Sequence, residues 1–571
     1  MATANEKLAD SLAALKRIQE RGYAVIEVAA HPELTRAHRE RLVRAGFLRP
    51  VIKGWYLPDD PAAAGGDSTQ WFAHMEAFVA AYANARFGPR WQLSPEMSLL
   101  RQSGHTAVFK QMQIHAPEAS NQILELAHGS SIFLYKITNQ SLSGNAVVDA
   151  QGLRILPAEE AVVRAGPSFF TLHPLAAQII VRRLDISILS RVLLESESAV
   201  VAGRMTGALD AVGRVDAANQ LRATIKAAGI RVSAQNPAQN PALNPFAAPL
   251  PDIGGSAGES PYVQRIRAMW AAMRDEVITQ FKAVRARRRQ SVAAIIKEIE
   301  ARYTADAYHS LSIEGYKVSD ELIERVRQGD WNPVSNARDQ DFRDAMAARG
   351  YFDAHTKVVA LIRQTLTSVD SPGASPGASP SASPSASPSA SPSASPGASP
   401  GTALQRDFPN WFAALFSSSV AAGILRPADL AGYRNSQVYI RNAQHVPLAP
   451  QAVRDCMPAL FDLISGETHP GARAVLGHFF FVFIHPYMDG NGRLGRFLMN
   501  YLLTTGGHPW VIVPVQRRAG YMATLEQAST HGNIKPFARF IAGLMVEQGK
   551  EPRRRAASVN ARRATVKIKR N

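Results

Sequence analysis

The segment His485-Pro486-Tyr487-Met488-Asp489-Gly490-Asn491-Gly492-Arg493-Leu494-Gly495-Arg496 concentrates an imidazole, a carboxylate and two guanidiniums around a glycine-rich turn. An imidazole with an ordinary pKa of about 6.5 can accept a proton at neutral pH. Glycines at 490 and 492 let successive backbone amides face a common point. Arg493 and Arg496 lie three apart, so both project from one side of a helical turn. Amides, two guanidiniums and one carboxylate around a loop suit a metal-bound polyphosphate.

Such a loop must be held by the elements on either side. Val475 to Ile484 is apolar and reads as a buried helix, so His485 emerges where that helix ends and Pro486 stops it. Asp489 to Gly492 reads as a tight turn. A new helix restarts over Arg493 to Tyr501, and its N-terminal amides and macrodipole point back into the loop, a ready anion site.

With those residues in view, the segment resembles the signature of the Fic (Fido) family, His-Pro-Phe-x-Asp/Glu-Gly-Asn-Gly-Arg-x-x-Arg. Every reactive position matches. Tyr487 stands where the pattern usually has Phe, which leaves the chemistry intact and adds a phenol oxygen that needs a partner. The resemblance implies a protein adenylyltransferase that moves AMP from ATP to a Ser, Thr or Tyr hydroxyl of a target protein. It implies that His485 is the general base, that Asp489 holds Mg²⁺, and that Gly490, Asn491 and Gly492 cradle the anion. It further implies that Arg493 and Arg496, with the intervening Leu494 and Gly495, hold the β- and γ-phosphates.

Three further segments are similar to parts of the same family. Gln437 to Arg441 and His445 to Pro447 read as a short hairpin that resembles the family's flap, with Val438, Tyr439, Ile440 and Arg441 as its candidate binding residues. Arg518 to Ser529 resembles the helix that closes the adenine pocket, with Tyr521, Met522 and Ser529 as candidates. Ser310-Leu311-Ser312-Ile313-Glu314-Gly315 resembles the inhibitory pattern Ser/Thr-x-x-x-Glu-Gly/Asn. A carboxylate there would form a charge-assisted pair with Arg496 and deny it to ATP.

The chain has 571 residues, too many for one core. Helix, short apolar segment, helix and hairpin over the first 60 residues resemble a winged helix-turn-helix, and more narrowly the N-terminal segment of abortive-infection antitoxins. Residues 61–232 mix helix and strand signals without recognisable chemistry; His105, His115 and His173 read as structural. Residues 233–261 are a Pro/Asn-rich connector and 262–370 are helical. A Ser-Pro-Ala repeat over 371–401 reads as a linker, since it cannot bury a core; its roughly 30 residues would reach about 3.1 Å each when extended. The catalytic core is expected over 402–548 and a basic disordered tail over 549–571. The expected fold is mainly α: a helical Fic core with a β-hairpin flap, a winged-helix-like domain and a mixed α/β middle region.

Net charge is +17, which favours polyanions as partners without choosing among nucleic acid, membrane surface and nucleotide. A single cysteine, Cys456, excludes a disulfide framework within the chain and reads as a packed small hydrophobe. No run of about 18 apolar residues occurs, so no membrane partner is expected, and the reading is cytoplasmic. ATP and a hydroxyl-bearing target protein are the expected partners, and a homodimer is compatible with a brake on a long tether. Two rival readings stand beside the transferase. One is a DNA-binding regulator that uses Arg36, Arg39, Arg41 and Arg44 on a helix, with Lys53 on a wing, and whose core senses nucleotide. The other is removal of AMP on the same fold.

Overall fold

A computed structural model describes residues 3–59, 61, 69–229, 244–256, 258–287, 290–330, 342–370, 400–423 and 425–549. The repeat over 371–399 and the basic tail from 550 lie outside the described residues. The chain folds as two compact units: Met1–Arg265 with Val438–Val446, and Ile266–Gln437 with Pro447–Asn571.

In the first unit the chain runs α1 (Ala4–Glu20), β1 (Ile26–Glu27), α2 (Arg36–Arg44), β2 (Leu48–Ile52) and β3 (Trp55–Pro58). This is the order expected from the periodicity of the first 60 residues. The strands form an antiparallel sheet ordered β1-β3-β2. Ala14, Leu15, Ile18, Leu34, Leu42 and Leu48 close a small core beneath it. Three of the four arginines of α2 are spent internally: Arg36 pairs with Glu40 at 2.7 Å, Arg41 donates to Ser11 Oγ at 3.1 Å, and Arg39 donates to the Leu34 carbonyl.

Next come α3 (Thr69–Phe87), β4 (Gln92–Leu93), α4 (Pro95–Gln102), β5 (Gln111–Ala116), β6 (Gln122–Glu125), β7 (Ser131–Lys136), β8 (Val147–Val148) and β9 (Arg154–Ile155). The larger sheet has the order β4-β5-β7-β6, with only the β5–β7 pair parallel. Met112, Ile114 and Ala116 alternate inward with Ile132 and Leu134, as a one-sided sheet requires. Six short helices follow: α5 (Ala158–Arg164), α6 (Ser168–Leu172), α7 (Pro174–Arg183), α8 (Ile186–Ser196), α9 (Ala199–Ala211) and α10 (Val215–Ala227). They surround a second apolar core containing Phe169, Phe170, Ile180 and Leu209. Burial lowers the His105 imidazole to about 3 and lowers that of His115 as well.

The second unit is helical. Its elements are α11 (Pro261–Phe281, entering at Ile266), α12 (Val292–Ile313), α13 (Asp320–Gln328), α14 (Phe342–Asp370) and α15 (Pro400–Ala421). After them come α16 (Pro450–Gly466), α17 (Pro470–Ile484), α18 (Asn491–Thr505), α19 (Arg518–His531) and a last helical stretch over 535–549. Helix α15 starts inside the expected linker, at Pro400. Helix α17 carries Phe479, Phe480, Phe481 and Phe483, all buried, so its termini are fixed by the core. Arg274 on α11 grips Glu467 through two hydrogen bonds, 2.8 and 3.1 Å. Cys456 is buried and unpaired, and burial pushes its thiol up, as expected of a packed hydrophobe. Among the described residues, no helix is long and apolar enough to cross a membrane.

Candidate active site: the loop between two buried helices

Helix α17 ends at His485, which caps it in the left-handed region at φ 55°. That conformation costs a residue with a Cβ about 1 kcal/mol or more and persists only where the surroundings impose it. Here the His485 amide donates to Phe481 at 3.0 Å, and the carbonyl accepts from Arg434 Nε at 2.8 Å. The imidazole Nδ1 lies 3.3 Å from the Val482 carbonyl. A carbonyl can only accept, so Nδ1 carries the hydrogen and Nε2 is left with a lone pair. Burial lowers the imidazole to about 4, against the Val482 hydrogen bond that raises it, with Arg434 lowering it further.

The turn after Pro486 is clipped by Asn491. Its amide group accepts from the Tyr487 N–H at 3.0 Å and donates to the Tyr487 carbonyl at 2.8 Å. Asn491 is therefore a loop clip. Tyr487 stacks on Phe412 at 3.9 Å with rings 9° apart, which anchors the loop in the core. Gly490 caps α18 at φ 84°, and a Cβ there would meet the Phe416 ring at 2.8 Å. Glycine is required on both counts.

At the start of α18, the amides of Asn491, Gly492 and Arg493 have no partner within the helix. The Leu494 amide already bonds the Gly490 carbonyl at 2.9 Å, and its side chain is buried. Gly495 packs against His478. Both expected binding residues lie among packed neighbours, past the amides that the helix leaves free.

The two arginines are buried with spare donors. Arg493 reaches Asp489 at 3.1 Å, and its Nε has no partner. Arg496 donates from Nε to Ser310 Oγ at 2.9 Å, and from Nη2 to the Ser310 carbonyl at 3.0 Å and Glu314 Oε1 at 2.7 Å. Its Nη1 has no partner. Burial works against the Arg496 charge, but the Glu314 carboxylate outweighs it and holds the guanidinium above its ordinary value. The same carboxylate lies against Gly492 at the start of α18, where a Cβ would collide with Glu314 Oε1. Asp489 stays 62% exposed, so its carboxylate remains reachable. A cavity of about 470 Å³, lined in part by Phe412, Phe416, Tyr433, Met488 and Asp489, opens beside it.

The other expected site residues fall as follows. Tyr521 is buried, with its hydroxyl 2.8 Å from His478 Nε2 and its ring near Phe537 and Phe540. Tyr521 and Ala528 are the buried residues of α19. Met522 and Ser529 are half-buried on the same helix. The segment over Val438, Tyr439, Ile440 and Arg441 forms no hairpin ladder. It turns at Arg441–Asn442, and the donors and acceptors of its second arm are spent elsewhere within the first unit. Val108 N–H donates to Gln444 and Val446 N–H to Thr106, both at 2.8 Å, with a bridge between Ala107 and His445. Gln437 and Pro447 close its base at 2.8 Å.

Sequence reasoning missed Arg434, which donates to the carbonyls of His485, Ser436 and Leu448 and so fixes the base from outside the loop. It also missed Tyr316 and Phe416, which flank Arg493, and the buried pair Asp306–Tyr351 at 2.7 Å.

Residues 415–503 match the model of the Fic/DOC family, so this part of the chain is a Fic/DOC domain. A protein adenylyltransferase Fic of Nematostella vectensis is 43% identical over 124 residues, which are 21% of this chain and 28% of that protein. The protein of the same name from Drosophila willistoni is 41% identical over 124 residues, 21% of this chain and 24% of the relative. The chain thus spans about a quarter of the length of these curated relatives. A solved structure of Fic-1 (residues 134–508) from C. elegans aligns over 71% of this chain and 92% of its own, at 19% identity and a TM-score of 0.34.

Proposed function

We propose that the chain is a protein adenylyltransferase that moves AMP from ATP to a Ser, Thr or Tyr hydroxyl of a target protein and is held silent by Glu314. The observation that carries this reading is the placement of an imidazole with a free Nε2 on a loop that also presents helix-start amides and two buried guanidiniums with unused donors. The site fits a triphosphate: spare donors without an acceptor call for an anion, and the exposed carboxylate of Asp489 suits Mg²⁺, which binds through one or two carboxylates plus phosphates. Bound there, Mg²⁺ would neutralise charge on the phosphates.

His485 Nε2 takes the proton of the target hydroxyl as its oxygen attacks the α-phosphorus. The bond from the α-phosphorus to the bridging oxygen breaks, and pyrophosphate leaves. Arg493, Arg496 and the loop amides hold the phosphates, so rate enhancement comes from positioning and charge stabilisation. Glu314 blocks this by filling the cradle at Gly492 and pairing with Arg496. In a chain carrying Glu314→Gly, labelling of protein from α-labelled ATP is expected to fall on the order of 10² to 10⁴ when His485→Ala is added. Equal labelling would remove His485 from the mechanism.

A further inference from the structure

The end of α12 places two side chains at once. Gly315 takes φ 89°, and the Tyr316 N–H returns to the Leu311 carbonyl at 3.1 Å, a helix stop that only glycine makes without strain. Glu314 is the cap residue before that turn, and Tyr316 is the first residue after it. One leads to Arg496 and the other to Arg493. The Arg493 guanidinium carbon lies 5.0 Å from the Tyr316 ring centroid and 5.1 Å from that of Phe416. Its side chain is 1% exposed. Arg343 lies 5.4 Å from the Tyr316 ring as well.

Rings over a guanidinium attract it through their quadrupoles and exclude water and ligand from the faces they cover. We infer that Tyr316 is a second arm of the brake, a positioning residue that caps Arg493 while Glu314 holds Arg496. This deepens the proposed autoinhibition and rests on it. Since both residues hang from one helix stop, a movement of the end of α12 frees both arginines together. Tyr316 acts through Arg493 and touches no reacting atom in this scheme. Its ring, not its hydroxyl, is the working part.

Full-length chains carrying Tyr316→Ala, Tyr316→Leu or Tyr316→Phe, each with Glu314 intact, test this. Phenylglyoxal modification of Arg493, followed by mass spectrometry, reads whether the guanidinium is covered. Modification is expected to quicken about fivefold in Tyr316→Ala and Tyr316→Leu and to stay at the wild-type rate in Tyr316→Phe, which keeps the π face. The rate at Arg496 is expected to stay constant throughout, which separates loss of the cap from undocking of α12. Self-labelling from α-labelled ATP should rise in the same order, below the level of Glu314→Gly. Unchanged Arg493 reactivity in both Tyr316→Ala and Tyr316→Leu, equal quickening of both arginines, or a Tyr316→Phe chain as reactive as Tyr316→Ala would overturn the inference. If Glu314→Gly itself fails to label protein, the transferase reading falls, while arginine reactivity still decides the role of Tyr316.

Discussion

His485 is held by three constraints at once: a helix that ends beneath it, a left-handed backbone, and Arg434 on its carbonyl. Burial lowers its imidazole to about 4, so the base is neutral across the physiological range. Glu314 raises that value, so a Glu314→Gly chain keeps an even lower one. Labelling by Glu314→Gly is therefore expected to be level between pH 6 and 8 and to decline only as pH falls below about 4. An inflection near the ordinary histidine value of about 6.5 would contradict the burial of this imidazole. Arg434 shows what a sequence hides at this scale. The catalytic loop is contiguous, so its chemistry can be read directly, whereas Arg434 reaches the His485 carbonyl across 51 positions and has no motif of its own.

Helix α12 carries the side chains that hold Arg496. Asp306, Ser310 and Glu314 recur every fourth residue and share one face. Ser310 and Glu314 hold Arg496, and Asp306 accepts from the Tyr351 hydroxyl of α14 at 2.7 Å. Burial pushes the Asp306 carboxyl up to about 6, against the Tyr351 hydrogen bond and the charges of Arg496 and Arg302. A folded value above the unfolded one means stabilisation that is present below about pH 4 and lost as pH rises through 6. The melting temperature of Asp306→Asn relative to wild type is thus expected to be highest at pH 7.5 and to fall as pH is lowered toward 4.5. A difference that does not vary with pH would deny the shift. The Ser-x-x-x-Glu-Gly pattern exposed the Glu314 arm in the sequence, whereas 262–370 read only as helical and left α12 unbounded. Tyr316 escaped because an aromatic after a helix stop carries no signal until Arg493 is placed against it, 177 positions along the chain.

At the scale of the molecule, the first 60 residues follow the expected element order, because amphipathic periodicity and the Lys53-Gly54 turn are local signals. The segment expected as a hairpin shows no ladder of its own for a non-local reason: the second arm of Val438–Val446 pairs with Thr106–Val108, a partner more than 300 positions away. Glu314 and Arg496 meet within one unit of one chain, so the proposed brake needs no second copy. Labelling per molecule by wild type is accordingly expected to be constant across protein concentration. A rise on dilution would place the brake between copies instead.

The claim on which all of this rests is that Glu314 occupies the anion cradle and Arg496 together. Transfer of label from α-labelled ATP to protein, compared between wild type and Glu314→Gly at equal concentration, tests it most directly. The account predicts a nearly silent wild type and strong labelling by Glu314→Gly. Equal labelling by the two would contradict it.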